Sequence, residues 1–266
     1  MGTPNPPGEK VPRSQFLHTL INKGEQLVGC VEHDPTAIQA GPVIEQLLGE
    51  TIGRDFLMSS FLAIITTKHN MPQILHQDQG IAPFQNSQAP FACNTMFVMD
   101  DMDTHNGGTL VVPGSHLLLS NVVSGEPLVD PMPPAINLQV KTGTVVLFEG
   151  HLLHGTGVNR SENSRMILVM NSIKPFMRQQ ELHMLSAATE ILENASAKLA
   201  YRSGARPTGL GGIEGAWQGD YLVGQRLAIE KGNFQRIREL SPQSSLAELG
   251  RDNARFSVLS VLLIDD

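Results

Sequence analysis

His76-Gln77-Asp78 and the distant His154 are the residues in this chain best suited to chemistry. A His-x-Asp pair plus one remote histidine is the ligand set of the facial triad, which holds non-haem Fe(II) and leaves coordination positions open. Arg165 lies eleven positions after His154, at the start of the apolar run Arg165–Met170. A guanidinium placed inward on a strand needs an anionic partner, and a dicarboxylate co-substrate would fit it in bidentate fashion. Both features together point to oxygen activation.

The third metal position has two candidates. His151 follows the strand end Phe148-Glu-Gly150, and His154 follows Leu152-Leu153. His154 is favoured because it opens His154-Gly-Thr-Gly-Val-Asn159 and has Arg165 downstream, which leaves His151 a supporting role. The glycines of that run allow small molecules and chain to approach closely. His-x-Asp on a strand puts both side chains on one face, because i and i+2 project together. Alone, the tripeptide carries little weight; a histidine near a strand end is commonly an ordinary polar residue.

The elements that must position these groups can be read coarsely. Residues 1–13 are rich in Pro and Gly and read as a flexible arm. Phe16, Leu17, Leu20 and Ile21 recur at helical spacing. A second helix is predicted over Pro42 to Leu48, ending at Gly49. Phe56 to Thr67 reads as one or two strands. Short apolar runs at Thr95–Met99, Gly108–Val112, Gly143–Phe148 and Arg165–Ser172 alternate with Gly, Asn and Pro, which predicts an antiparallel barrel or sandwich. Gly114 to Pro134 is too long for a hairpin turn and reads as a surface excursion. Gln180 to Ala200 returns to helical spacing. The glycine-rich stretch 203–215 lacks dinucleotide-fingerprint spacing and reads as a lid.

The chain has 266 residues, 41% hydrophobic and 17% charged, with net charge −7. That composition expects a folded core. The negative balance argues against a nucleic-acid partner. No run approaches 18 apolar residues, so no membrane partner is expected. The polar start, without an apolar stretch, does not read as a signal peptide, and the two cysteines, Cys30 and Cys93, make no disulfide framework. A cytoplasmic home is the expectation.

Three segments together resemble the phytanoyl-CoA dioxygenase family of Fe(II)/2-oxoglutarate oxygenases. They are His76-Gln-Asp78, Asn106-Gly-Gly-Thr-Leu-Val-Val-Pro-Gly-Ser-His116, and His154-Gly-Thr-Gly-Val-Asn159 with Arg165. Gln73-x-x-His76 and the helix-rich tail look most like the fungal branch acting on meroterpenoids and alkaloids. The resemblance implies a mainly β fold with flanking helices around a double-stranded β-helix (jelly-roll, cupin-like) core. It implies a single dioxygenase domain over 14–266, with its barrel core over about 55–180 and a helical region over about 180–266. It implies His76, Asp78 and His154 as Fe(II) ligands, Arg165 as partner of the distal 2-oxoglutarate carboxylate, and Gln73 and Thr109 as further co-substrate contacts. The implied reaction consumes O2 and 2-oxoglutarate, releases succinate and CO2, and hydroxylates, desaturates or rearranges a small apolar substrate such as a terpenoid or alkaloid. Met71, Phe91, Met96 and Trp217 are pocket-lining candidates, with plain core packing as their ordinary alternative.

Two departures bear on this expectation. Phe91-Ala-Cys-Asn-Thr-Met-Phe97 lacks the tryptophan common in the acyl-CoA branch, which speaks against, though leaves as an alternative, an acyl-CoA hydroxylase. Relatives carry more residues before the first helix, including a strand of the main sheet. A trimmed edge or a covering partner chain would answer that, so a homodimer is expected, or a heterodimer with a homologue. A non-catalytic subunit and a zinc hydrolase on the same ligands are the competing classes. The zinc reading leaves Arg165 and Gln73 without a role.

Overall fold

A computed structural model of the chain describes residues 14–81, 89–117 and 133–205. The N-terminal arm, Trp217, the tail after 205 with most of the glycine-rich stretch, and most of the 114–134 excursion lie outside the described residues.

Strand formation begins earlier than the periodicity of the N-terminal segment suggests. The apolar quartet Phe16, Leu17, Leu20, Ile21 is split between a short strand β1 (Gln15–Leu17) and a 3-10 turn over Leu20–Lys23. Two observations explain the difference. β1 pairs antiparallel with β2 (Leu57–Thr66), Phe16 opposite Ile64, and Thr19 takes a left-handed φ of 55°, which breaks any helix there. A strand therefore does join the main sheet before the first helix. Helix α1 follows over Glu25–Glu32.

Helix α2 runs Gly41–Ile52, straight through Gly49. Its buried stripe is Ile44, Leu48 and Ile52, at intervals of four. Burying Ile52 outweighs the ~1 kcal/mol that an internal glycine costs a helix. Termination falls to Gly53, whose φ of 93° suits glycine.

The remaining strands are β3 (Ala92–Val98), β4 (Thr109–Val111), β5 (Ile136–Asn137), β6 (Val145–Glu149), β7 (His154–Thr156) and β8 (Arg165–Ile173). They form two antiparallel sheets, ordered β1-β2-β8-β3-β6 and β5-β4-β7. Gln180 to Ala200 gives three short helices rather than one: α3 (His183–Ser186), α4 (Thr189–Glu193) and α5 (Ala197–Arg202). No helix among the described residues is long and apolar enough to cross a membrane.

Alternation on the five-stranded sheet separates two environments. Phe61 and Ala63, Cys93 and Phe97, and Leu168 and Met170 face the helices and join Ile21, Val31, Ile44, Leu48, Ile52 and Leu199 in the main core. The opposite set, including Leu62, Ile64, Asn94, Met96, Ile167, Val169 and Asn171, faces a cavity that the smaller sheet covers through Thr109, His154 and Thr156.

A charged cluster ties the helical layer together. Arg202, fully buried, pairs with Glu45 at 2.6 Å, caps the carbonyl of Phe56, and lies over the Phe56 ring. Lys198 and His33 also reach Glu45, at 2.8 and 2.5 Å. Burial pushes the Glu45 carboxyl up, but the His33 hydrogen bond, the charge of Arg202 and the Lys198 hydrogen bond carry it down to about 2. Removing one partner of a buried ion pair strands the other. Glu45→Gln is expected to cost about 3 kcal/mol in denaturant titrations near neutral pH. A carboxyl depressed on folding stabilises above its ordinary value of 4.5 and loses that contribution as pH falls towards about 2. The gap between wild type and variant should therefore shrink between about pH 5 and about pH 3; a gap constant with pH would count against this role.

Candidate metal and co-substrate site

His76 sits in an extended segment bridged to β7. His76 N donates to His154 O at 2.9 Å and His154 N donates back at 3.0 Å. Gln73 N to Thr156 O, 3.0 Å, continues the pairing. The two histidines are thereby held side by side, with ring centroids 4.5 Å apart. Each Nδ1 lies on the carbonyl two residues back, Ile74 O at 2.8 Å and Leu152 O at 2.9 Å. With Nδ1 as donor, each ring keeps its Nε2 lone pair for another partner.

Asp78 meets both Nε2 atoms, at 3.5 Å from His76 and 3.8 Å from His154. It arrives there by a route that strand alternation does not describe. Asp78 opens a 3-10 turn, Asp78–Ile81, and the turn brings the carboxylate round to the histidines. One ligand atom from each of the three residues lies within 4.8 Å of the others. Two nitrogens and one carboxylate oxygen form a donor set suited to a divalent transition metal.

The carboxylate is held from behind. Asn94 Nδ2 donates to Asp78 Oδ2 at 2.5 Å, and Asn171 Nδ2 donates to Asn94 Oδ1 at 2.9 Å. Burial pushes the Asp78 carboxyl up, yet the hydrogen bond to His76, the charge of His154 and the Asn94 bond together leave it below its ordinary value. The Asp78 hydrogen bond raises His76, while burial lowers His154.

His151 is engaged elsewhere. Its Nδ1 lies 2.8 Å from Glu149 Oε2, and its Nε2 accepts from Gln79 Nε2 at 2.9 Å. Gln79 in turn accepts from Phe91 N at 2.6 Å. Both ring nitrogens of His151 are thus used in bracing the turn after Asp78, whereas His154 turns its Nε2 to the carboxylate.

Arg165 is 1% exposed. Strand alternation places it on the same sheet face as Ile167, Val169 and Asn171, which line the cavity, while Arg165 itself lies outside the lining residues. Its Nη2 donates to Gly107 O at 2.7 Å and Thr66 Oγ1 at 3.0 Å, and Nε donates to Asn106 O at 3.3 Å. Nη1 is buried with no hydrogen-bond partner among the described residues. None of these partners is an anion, and burial lowers the guanidinium to about 10 despite the opposing charge of Asp100. A buried cation with a free N–H is a fitting counterpart for a carboxylate.

Gln73, Thr109 and Met96 line the cavity with the three candidate ligands. Gln73 Oε1 accepts from Thr156 N and Oγ1, at 2.9 and 2.8 Å, so its NH2 is the end left to donate. Thr109 Oγ1 lies 3.7 Å from Met96 Sδ. Met71 is half exposed and Phe91 stacks edge-on against Phe176; neither borders this cavity. Sequence reasoning misses Asn94 and Asn171. Their signal is nonetheless local: an asparagine inside an otherwise apolar strand is costly to bury unless it is hydrogen-bonded.

Comparison with known proteins gives the chain its relatives. The family model described as phytanoyl-CoA dioxygenase (PhyH) matches residues 9–167, more than half of the chain. Dioxygenase aneA of Aspergillus aculeatus is 30% identical over 199 residues, covering 71% of this chain and 63% of that protein. Dioxygenase sphC of Aspergillus fumigatus is 25% identical over 182 residues, covering 67% and 48%. The chain thus spans about half to three fifths of the length of these relatives. Among solved structures, the non-heme alpha ketoglutarate dependent carbocyclase SnoK from nogalamycin biosynthesis is similar at TM-score 0.47 and 19% identity, covering 62% of this chain and 65% of that one. The segment matched by the family model takes in His76, Asp78, His154 and Arg165, and the chain belongs to the phytanoyl-CoA dioxygenase (PhyH) family.

Proposed function

We propose that this chain is an Fe(II)- and 2-oxoglutarate-dependent dioxygenase acting on a largely apolar small molecule, in the manner of terpenoid or alkaloid biosynthesis. The observation that carries the reading is a His-Asp-His donor set lining a cavity, together with a buried arginine on the sheet face beneath that cavity whose Nη1 has no hydrogen-bond partner among the described residues. The strand order supports a double-stranded β-helix. With the His76 segment bridged to β7, each of the two sheets has at least four antiparallel members, and the cavity lies between them.

In this reading His76, Asp78 and His154 hold the metal. Iron held by these three residues would supply the oxidising chemistry, with 2-oxoglutarate and O2 consumed and succinate and CO2 as the co-products. The chain's own residues do the positioning. Arg165 holds the far carboxylate through a charge-assisted bond, and Gln73 donates its amide N–H to the same molecule. Leu62, Ile64, Met96, Ile167 and Val169 give the cavity an apolar floor that excludes water between these two ends.

Adding Fe(II) and 2-oxoglutarate to the protein without oxygen should produce a visible charge-transfer band, followed by succinate once oxygen is admitted. A protein that binds Fe(II) but shows no band on adding 2-oxoglutarate would refute the reading. Gln73→Leu is expected to raise the KM for 2-oxoglutarate about tenfold, the worth of roughly one hydrogen bond, with bound iron unchanged. An unaltered KM would remove Gln73 from the co-substrate site.

A further inference from the structure

The sheet face beneath the cavity is a ladder of side chains across β2, β8 and β3. Arg165 stands opposite Thr66 at one end. Two apolar rungs follow, Ile64–Ile167–Val98 and Leu62–Val169–Met96. The last rung is polar throughout: Ser60 pairs with Asn171, and Asn171 with Asn94. Adjacent strands lie about 4.8 Å apart, so these three side chains are immediate neighbours.

The metal-site carboxylate sets the polarity of this rung. An ionised carboxylate only accepts, so Asn94 must turn its NH2 to Asp78. Its carbonyl then faces Asn171, which must answer with its own NH2. Asn171 Oδ1 is what remains, an acceptor without a hydrogen-bond partner among the described residues, on a side chain 6% exposed that lines the cavity. From the other side, Ser60 Oγ donates to Gln180 Oε1 at 3.2 Å. Gln180 therefore has its NH2 left to donate, and it lines the same cavity. One acceptor and one donor thus flank the rung nearest the metal site.

We propose that Asn171, with Ser60 and Gln180, recognises a hydroxyl group on the substrate, so that the chain acts on an apolar skeleton already carrying an alcohol near the carbon to be oxidised. This rests on the dioxygenase reading above. A hydroxyl donates to Asn171 Oδ1 and accepts from the Gln180 amide, which satisfies both. A bare hydrocarbon would cover the Asn171 carbonyl without replacing its hydrogen bond to water, and a site built for a hydroxyl discriminates against analogues that lack one. The alcohol must be supplied by an earlier oxygenation or by reduction of a ketone.

The test uses matched probes with the Fe(II)·2-oxoglutarate protein: menthol, menthyl methyl ether and p-menthane, and the larger set cedrol, cedryl methyl ether and cedrane. The readouts are perturbation of the anaerobic charge-transfer band and stimulation of succinate release. In at least one set the alcohol is expected to half-saturate at least about tenfold below its ether and hydrocarbon. Asn171→Leu, which keeps the volume and removes the acceptor together with the amide donated to Asn94, should bring the alcohol to the level of its ether. Equal responses within both sets, no response to either alcohol, or an alcohol preference that survives Asn171→Leu overturns the proposal. The wild-type comparison needs no variant, so a poorly folding Asn171→Leu leaves it decisive. The band itself separates the two levels: its absence in wild type before any probe is added refutes the dioxygenase reading, and its presence without alcohol preference refutes only the hydroxyl site.

Discussion

Arg165→Ala is expected to raise the KM for 2-oxoglutarate at least about a hundredfold while leaving iron binding intact. The guanidinium's hydrogen bonds go to neutral oxygens of Thr66, Asn106 and Gly107. These hold the group in place and leave Nη1, buried and without a hydrogen-bond partner among the described residues, to meet an incoming anion. Hydrogen bonds between charged groups contribute roughly 1.5–3 kcal/mol each, and losing the buried cation as well removes the main attraction for a dicarboxylate. Lysine should restore little, because a point charge on a flexible stem cannot reproduce the fixed fork that spans Gly107 and Thr66. The variant also leaves two backbone carbonyls short of a donor, so some loss of stability is expected. For that reason the diagnostic comparison is between iron affinity, which should hold, and co-substrate affinity, which should not. Exogenous guanidinium that partly restores turnover would support the assignment. A variant with unchanged 2-oxoglutarate KM would show that the buried charge serves the fold alone.

Much of this site is legible in the residues, and what is not has physical causes. Arg165 stands out because a charge that opens an apolar strand can be buried there only with a partner to receive it. The preference for His154 follows from its phase with Arg165, and the structure adds a reason that lies outside the sequence pattern: Glu149 and Gln79 occupy both nitrogens of His151. Strands β2, β3, β4, β6 and β8 are located within a few residues of their ends because alternation and glycine punctuation are local signals, whereas the short β5 and β7 are not read as strands. Non-local pairing is a different matter. β1 exists because β2 offers it an edge, which no pattern in Phe16–Ile21 encodes. Helix α2 passes Gly49 because a buried isoleucine lies beyond it. Asp78 reaches the histidines by a turn, so the alternation that its spacing from His76 suggests is not the geometry that brings them together. Asn94 and Asn171 depend on the register of strands far apart in sequence.

The second large effect concerns the metal itself. Asp78→Asn, His76→Ala and His154→Ala are each expected to abolish substrate-dependent succinate formation. Asp78→Asn is the most informative of them. Asparagine keeps the shape of the side chain and can still accept the Asn94 amide through its oxygen, so the fold should survive. What disappears is the negative charge between the two imidazoles. A divalent cation in a partly buried site needs that charge to offset the loss of its water shell, and a fall in Fe(II) affinity of at least about a hundredfold is expected from losing an anionic ligand of this kind. His151→Gln is the matched control. It removes an imidazole only a few residues away, yet both nitrogens of that ring are committed to Glu149 and Gln79, so the variant should bind one equivalent of Fe(II). Metal titration monitored by the charge-transfer band distinguishes the two histidines directly. If His154→Ala still bound one equivalent and turned over while His151→Gln did neither, the triad would have to be redrawn around His151.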